Sequence, residues 1–348
     1  MKQPVAGLVA TLAIIAISLG FISLFGFPVF SGWVAYLIDC IIPMQIVIGV
    51  TWGGKLPAFA GARPQPLRGL LLILLNLAVG AVIATVLWLT VGHGIQPPTP
   101  SLIFFMITFV LTTFWLTIMW GGWPFLGAIK NPVAAGFAIL IAAAVLSYVI
   151  FRVFFDFSFM QGAPFYQAAL DPHGMFNAWN AVVYYVTVIA AMFFVVGFDL
   201  WPMHKFPAIM RQPILGMVWT VVSATLGWVF FYLGTAVAKM DVAVFMVTVP
   251  IPFIFGTIIV LNMLQGSLFP NFKPPLKGVL NVALIAIVGT ALARFYGAMA
   301  PSVTGVLKSG PPGYDFEIWL ASALLSVTFP FLVFHAEIFK LWPLRASE

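Results

Sequence analysis

A single carboxylate stands out in the second apolar stretch of the chain, where Asp39 follows the start of that stretch by about seven residues. At the rise of an α-helix, this position lies about 10 Å into a bilayer. A charged group at that depth is costly, and such residues commonly serve ion or proton movement. We therefore expect Asp39 either to carry protons or to form a structural ion pair, with Arg294 or Arg152 as its partner.

Three prolines fall in the middle of apolar stretches that should be helical, and they are Pro43, Pro252 and Pro330. A proline inside a helix leaves the carbonyl four residues earlier without its hydrogen bond. Those carbonyls belong to three polar residues, Asp39, Thr248 and Ser326. Free carbonyls in a membrane are tolerated where they line a cavity, so we predict a polar pocket there. The alternative is that nearby Ser and Thr hydroxyls satisfy these kinks and no pocket forms.

A second polar group lies near the other end of the same helices. His335 and Glu337 belong to the last apolar stretch, and Asn262 has a comparable position in the eighth. Facing polar side chains at a membrane interface can gate a passage or relay protons. We predict an inner gate at these residues, with ordinary interfacial polar contacts as the alternative.

Cofactor chemistry is constrained by the content of four histidines and one cysteine. Haem iron needs axial ligands within the membrane, and of the histidines only His335 lies in an apolar stretch. Asp171, His173 and Met175, with Met160 nearby, offer ligand types that suit copper, but the pattern holds a single histidine. The chain has no H-E-x-x-H, G-x-S-x-G or P-loop motif. We expect neither a metal nor a cofactor.

The elements that position these residues are predicted to be membrane helices. The chain has 348 residues, 63% hydrophobic and 7% charged, with a mean hydropathy of +1.12. Soluble domains carry about 25% charged residues, so the composition excludes that class and predicts an all-α, polytopic membrane protein. Spanning helices need about 20 apolar residues. Ten stretches qualify, at about 5–25, 32–51, 69–91, 101–120, 133–154, 178–198, 214–236, 242–264, 279–297 and 317–339.

The basic residues predict the orientation of these ten stretches. With an even number of spans, eleven basic residues fall on the side of the chain termini, and they are Lys2, Lys55, Arg63, Arg68, Lys130, Lys205, Arg211, Lys273, Lys277, Lys340 and Arg345. The other side receives four, Arg152, Lys239, Arg294 and Lys308. Because basic loops remain cytoplasmic, we predict both termini in the cytoplasm and the chain in the inner membrane.

Five similar motifs precede alternate stretches: KQPVAG (2–7), PQPLRG (64–69), KNPVAAG (130–136), RQPILG (211–216) and KPPLKG (273–278). Proline suits the first turn of a helix, where its missing N–H needs no partner. The following glycine lets another backbone approach closely. The returning stretches also share an ending, a proline that usually follows tryptophan or another apolar residue, as at Pro57, Pro124, Pro202, Pro270 and Pro343.

These recurring starts and ends predict one transmembrane domain over 1–348 that is built from five parallel helical-hairpin repeats. The repeats span approximately 3–57, 65–124, 131–202, 212–270 and 274–343. The alternative is that P-x-x-G merely suits any helix entering the membrane from that side. The third repeat is longest because of an aromatic segment at 151–176, which we expect at the outer interface as a lid or a packing flap.

These features favour a membrane transporter or channel-like permease for a small polar or anionic solute, proton-coupled through Asp39. One alternative is a membrane enzyme or subunit acting on a lipid or quinone, with Asp199, His204, Lys205 and Glu337 at one interface. Another is a non-catalytic anchor subunit of a larger complex. The expected partners are the lipid bilayer and a small-molecule solute, in a homo-oligomer or with partner subunits, and no nucleic acid.

Overall fold

The computed structural model describes residues 1–344 and contains ten helices that are long and apolar enough to span a membrane. We number them α1 (Val5–Ile22), α2 (Phe27–Thr51), α3 (Leu67–Thr90), α4 (Pro100–Met119), α5 (Pro132–Phe154), α6 (Ala178–Gly197), α7 (Ile214–Val237), α8 (Val242–Met263), α9 (Leu276–Val303) and α10 (Asp315–Ile338). The prediction of an all-α, multi-pass membrane protein with ten spans is therefore confirmed. The largest difference is in α9, which continues about six residues past its predicted end.

The ten helices form an inner and an outer set. In the even-numbered helices, between 61% and 72% of the most apolar part is buried, whereas in the odd-numbered helices the share is between 22% and 44%. The outer helices expose large aliphatic side chains such as Leu74, Val82 and Ile141, which is the surface a lipid environment accepts. The core is therefore formed by α2, α4, α6, α8 and α10.

Both ends of the described chain lie at one face of the bundle. The ammonium group of Met1 donates a hydrogen bond to the carbonyl of Leu344 at 2.6 Å. We call this face the terminal face and the opposite one the distal face, so the even-numbered helices run from the distal to the terminal face. Arg345, one of the basic residues assigned to this side, lies outside the described residues.

The glutamine of three helix-start motifs joins two helices at the terminal face. The side-chain amides of Gln3, Gln65 and Gln212 donate to the carbonyls of Met263, Ile338 and Met119. Their side-chain oxygens accept from the amides of Gly7, Gly69 and Gly216, so each glutamine is held in both directions. The structure also corrects the expectation that each motif proline lies in the first turn of its helix. Of the five motif prolines, Pro132 alone is the first residue of its helix, while Pro4, Pro66, Pro213 and Pro275 are cap residues just outside theirs.

The glycines of these motifs allow close approach, as the sequence predicts. A Cβ on Gly7 would lie 2.1 Å from the carbonyl oxygen of Met263, and one on Gly136 would lie 2.4 Å from the Trp52 ring nitrogen. A Cβ on Gly278 would meet the Phe198 ring at 2.3 Å. The five motifs thus bring α1 to α8, α3 to α10, α5 to α2, α7 to α4 and α9 to α6. In every case the partner is an inner helix from a different hairpin.

The inner helices also end alike at the terminal face. A widened last turn follows each of them, in which the amides of Trp52, Trp120, Leu200, Leu264 and Phe339 donate to carbonyls five residues earlier. Two consecutive residues with positive φ come next, at 53–54, 121–122, 199–200, 265–266 and 340–341. Such residues end a helix by turning its last carbonyls toward new partners. The helices therefore end several residues before the prolines that we expected to stop them.

The inner helices are distorted in different ways near the three mid-helix prolines. Near Pro43, α2 loses helical geometry at residues 40–41. The break in α8 falls at Val249, with φ −122° and ψ −75°, directly before Pro250 and three residues before Pro252. Because the residue before a proline is disfavoured in the α region, Pro250 rather than Pro252 accounts for this break. Before Pro330, α10 does not break but widens into a π-helical stretch over Ser322–Thr328. The helix is irregular near each of the three prolines, and the distortion before Pro330 is a wide turn rather than a kink.

The distal segment connects α5 to α6 and has structure of its own. Two short parallel strands pair at its ends, β1 (Phe155–Asp156) with β2 (Phe176–Asn177). Two single turns of 3₁₀-helix lie between them, at Ser158–Met160 and Ala168–Leu170. The segment is thus a folded loop on the distal face, close to the predicted range of 151–176.

Candidate functional site

Asp39 is buried at the break in α2, with 7% of its surface exposed. Its carboxylate lies beside the hydroxyl of Ser326, which α10 supplies from its wide turn and which is 4% exposed. The sequence predicted that these two residues would meet. Within residues 1–344, no basic side chain forms an ion pair with Asp39.

Asp39 lines a cavity of about 100 Å³ that we call the distal chamber. All five inner helices contribute to its wall, through residues such as Ile107 of α4, Val186 of α6 and Met246 of α8. The polar lining consists of Asp39, Ser322 and Ser326, and the remainder is apolar. The chamber therefore lies on the axis of the inner bundle and presents one carboxylate and two hydroxyls.

A second cavity, of about 240 Å³, lies on the same axis nearer the terminal face. We call it the terminal chamber, and it too is lined by all five inner helices. The Asn262 amide donates to Glu337 at 2.9 Å, and Lys340 lies 3.2 Å from the same carboxylate. The predicted inner gate is thus brought together in part, because His335 does not line this chamber.

Three phenyl rings separate the two chambers. Phe114 and Phe329 line both cavities, and their ring centroids are 6.0 Å apart at an interplanar angle of 78°. Phe193 packs edge-on against Phe114 at 5.6 Å. We call these three residues the phenyl barrier. The rings of Phe114 and Phe329 therefore lie between the two chambers, and Phe193 borders the terminal one.

Gln45 adds a polar side chain that sequence reasoning missed. It is fully buried and lines the terminal chamber. Its amide donates to the carbonyl of Pro330 at 2.7 Å, while its side-chain oxygen has no hydrogen-bond partner within the described chain. An unsatisfied buried acceptor is costly, so this oxygen is a candidate contact for a solute in the terminal chamber. Its position two residues after Pro43, within an apolar stretch, was the available signal.

Several predicted residues lie elsewhere. Thr248 is exposed on the outside of α8, where its hydroxyl donates to the carbonyl of Val244 at 2.7 Å, so it is not part of the predicted pocket. Arg294 and Arg152 are exposed on the outer helices α9 and α5, and the structure does not bring them to Asp39. The ring nitrogen Nε2 of His335 is buried without a partner in the described residues.

The distal face carries a pocket of about 480 Å³, which we call the distal pocket. It lies between the distal segment and the starts of α6, α8 and α10. The rings of Trp179 and Tyr314 are 5.6 Å apart, and the Tyr314 hydroxyl donates to the Asp241 carboxylate at 2.8 Å. Partial burial, together with this bond, raises the pKa of Tyr314 to about 12.

The distal segment gathers one group with metal-ligand spacing among the described residues. Nδ1 of His173 lies 3.5 Å from Asp171 and 3.8 Å from Asp156. Asp171 is already held by the amides of Phe157 and His173 and by the Tyr166 hydroxyl. Of the predicted copper ligands, Asp171 and His173 meet, while Met175 is 70% exposed. The hydrogen bonds of Asp171 thus tie three parts of this loop together.

Comparison with known proteins does not add to this description. No protein-family model matches the chain, and neither a curated protein nor a solved structure matches it. The functional conclusion therefore depends on the geometry of the inner bundle.

Proposed function

We propose that the protein is a membrane transporter or channel-like permease that moves a small polar solute along the axis of its five inner helices. The observation that carries the proposal is the pair of chambers on this axis, each lined by all five inner helices. A passage between repeated helices, closed by bulky side chains and holding few polar groups, is the arrangement that selective permeation needs. An anionic solute, which the sequence also predicted, meets no basic lining residue in either chamber among the described residues.

The proposal includes a ring of five parallel hairpins. The motif contacts join each outer helix to the inner helix two hairpins earlier, since α5 meets α2, α7 meets α4 and α9 meets α6. The contacts of α1 with α8 and α3 with α10 follow the same rule, once the count passes from the first hairpin back to the fifth. A closed ring of equivalent units is what satisfies all five contacts together.

In this mechanism the phenyl barrier is the gate. A solute enters the distal chamber and is held near Asp39, and rotation of the Phe114 or Phe329 ring admits it to the terminal chamber. The breaks and wide turns of α2, α8 and α10 lie beside the distal chamber, and irregular stretches of this kind give helices positions at which to bend. Gln45, Asn262 and Glu337 receive the solute on the other side.

Asp39 is the residue through which transport is coupled to protons. Asp39 is buried, has no ion-pair partner within residues 1–344 and lies beside Ser326 in the distal chamber. A carboxyl group that gains and loses a proton as the solute passes links the two movements.

We further propose that the terminal face is cytoplasmic and that the membrane is the inner membrane of the cell. Lys2 precedes α1, and Lys55, Arg63 and Arg68 lie between α2 and the first turn of α3 at this face. The connections at the distal face hold fewer basic residues, among them Lys239 and Lys308. This asymmetry is typical of cytoplasmic loops.

The residues invoked for a membrane enzyme do not meet in one group. Asp199 and His204 contact each other, and Lys205 lies over the Trp201 ring. Asp199 pairs with Lys277 at 2.8 Å, and His204 contacts the backbone carbonyl of Asp199. Glu337 bonds with Asn262 and Lys340 instead. The absence of a shared cluster within residues 1–344 supports transport over catalysis at this face.

Flux into proteoliposomes tests the proposal. The purified protein should raise the entry of a small polar probe, such as urea or a small ion, above that of protein-free vesicles. If cationic, anionic and neutral probes all fail to enter, the transport proposal is wrong, and co-purifying subunits would then favour the anchor alternative.

A further inference from the structure

The ionisable side chains along the axis have one sign of charge. Asp39 is the ionisable residue lining the distal chamber, Glu337 lines the terminal chamber, and Asp241 lies with Tyr314 in the distal pocket. No lysine, arginine or histidine of the described chain lines any of these three cavities. Lys340 pairs with Glu337 and neutralises it, which leaves Asp39 as the uncompensated group at the centre.

An anion in the distal chamber would face the Asp39 carboxylate in a medium that screens charge poorly. Like charges brought together in such a site repel strongly, whereas a cation replaces the counter-charge that the protein does not supply. The rest of the lining is apolar apart from two serine hydroxyls. The chamber therefore suits a cation that is itself partly apolar.

We infer that the transported solute is a small alkylammonium cation, which binds at Asp39 in exchange for the proton of that carboxyl group. This inference rests on the proposed transport function and specifies its substrate class. Ser322 and Ser326 accept from N–H groups of the cation where it has them, and the isoleucine, leucine and valine side chains contact its methyl groups. The chamber of about 100 Å³ is smaller than the engineered cavity of about 150 Å³ that binds benzene, so the solute has only a few heavy atoms.

The distal pocket supplies an entrance for the same kind of solute. Trp179, Asp241 and Tyr314 precede the chamber-lining residues of α6, α8 and α10 by five to seven residues, or about two helical turns. Paired aromatic faces beside a carboxylate attract ammonium groups. The pocket thus lies above the chamber along three shared helices and favours the same charge.

The starts of α6 and α8 at the distal pocket do not make it favour anions over cations. A helix start carries partial positive charge and attracts anions when its N–H groups are free. Here the Asn177 side chain accepts from Trp179, and the Asp241 carboxylate accepts from Ala243 and Val244. Both starts are therefore already capped by side chains of this chain.

Exchange of a cation for a proton follows because Asp39 is the single carboxylate that lines the distal chamber. Asp39 holds either a proton or an ammonium group, so arrival of the cation releases the proton to water and return of a proton releases the cation. Charge is conserved because one positive charge replaces another. The neighbouring titratable groups are Tyr36 and Cys40 on its own helix, and the linings contributed by α4, α6, α8 and α10 contain no titratable residue.

Proteoliposomes loaded with a pH-sensitive dye at acidic pH test the inference. Tetramethylammonium is the cationic probe because it cannot cross as a free base, methanesulfonate is the anionic probe of equal heavy-atom count, and urea is the neutral probe. We expect tetramethylammonium to enter while the lumen becomes alkaline, and methanesulfonate to stay outside. Tetrabutylammonium, which exceeds the chamber, should not enter.

Substitutions of Asp39 test whether its carboxylate is the site at which the cation is exchanged. Asp39→Asn should lower tetramethylammonium entry about tenfold or more, since loss of the counter-charge of a buried cation costs at least that much, and Asp39→Glu should retain part of it. Asp199→Asn is the matched control, because it makes the same change in an exposed ion pair at the terminal face. Each variant is first checked for assembly by its elution from size exclusion in detergent.

The outcomes separate this inference from the transport proposal. Entry of methanesulfonate or urea without tetramethylammonium would leave transport standing and overturn the cation assignment. Cation entry without alkalinisation, or entry unchanged in Asp39→Asn, would overturn exchange at Asp39. Failure of all three probes would count against the transport function itself.

Discussion

The ring of Phe114 meets the ring of Phe329 edge-on at 6.0 Å, and these two residues line both cavities on the axis of the inner bundle. One ring comes from α4 and the other from α10, so two helices distant in sequence close the same point. Movement of either helix therefore changes the opening, and this is the basis of the gate proposed above.

Replacing Phe114 or Phe329 with alanine should join the two chambers. We expect solute flux in proteoliposomes to rise about tenfold or more, because a barrier lowered by about 1.4 kcal/mol corresponds to that factor. Phe295→Ala is the control, since this ring is 44% exposed on α9. Equal flux in the two kinds of variant would remove the phenyl barrier from the mechanism.

Gln65→Ala should destabilise the assembled protein. Gln65 is buried and joins the carbonyl of Ile338 to the amide of Gly69, and its loss leaves both groups unsatisfied at a cost of about 1–3 kcal/mol. Gln65→Glu should be at least as harmful, because a carboxylate cannot donate to that carbonyl. Thermal unfolding in detergent measures the effect against Gln167→Ala, an exposed glutamine of the distal segment. A melting temperature equal to that of the control would contradict the role of Gln65.

Labelling of single introduced cysteines tests the proposed topology. Cys40 is the one native cysteine and is buried, so Cys40→Ala provides a background without reactive thiols. In that background, a membrane-impermeant thiol reagent added outside the inner membrane should label Lys308→Cys and not Lys2→Cys. Labelling of Lys2→Cys in sealed cells would reverse the orientation.

The distal segment should loosen in acid. Hydrogen bonds from the hydroxyl and amide of Ser158 hold the pKa of Asp156 below its usual value, with His173 contributing. A carboxyl group with a lowered folded-state pKa stabilises the fold above its unfolded value, near 4, and this contribution is lost as the pH falls through the folded pKa. Amide protection over residues 155–177 should therefore fall between about pH 5 and about pH 3.

Asp156→Asn provides the control for that measurement, because an amide does not titrate. In this variant the protection of the distal segment should change less over the same pH range, after correction for intrinsic exchange. The same change at Asp199, on the opposite face, should leave the pH dependence intact. A pH dependence that survives Asp156→Asn would assign it to another group.

Hydropathy was sufficient to predict the ten helices, since a bilayer demands long apolar segments whatever their neighbours. The depth of a residue in the membrane was also predictable, because the number of residues from the helix end gives the distance along the helix directly. Asp39 and Ser326 therefore meet as expected. Thr248 does not, because depth does not tell which way a side chain faces, and a helix that is apolar all round offers no polar side by which to orient it.

Neither the phenyl barrier nor the glutamine contacts could be predicted from the sequence, and the physical reasons differ. The chain has 35 phenylalanines, and nothing local distinguishes Phe114 or Phe329 from those that face lipid. The glutamines were visible beside their prolines, but their partners belong to helices distant in sequence. Any residue type can supply a backbone carbonyl that accepts a hydrogen bond from a side chain, so the sequence does not identify which residue does.

The long reach of these contacts bears on how the protein is made. Gln3 bonds to a residue 260 positions later, and Gln65 to one 273 positions later. Synthesis from the N-terminus delivers the first two hairpins to the bilayer before their partners on α8 and α10 have left the ribosome. The contacts of α1 and α3 at the terminal face must therefore remain incomplete in the bilayer until α8 and α10 have been synthesised.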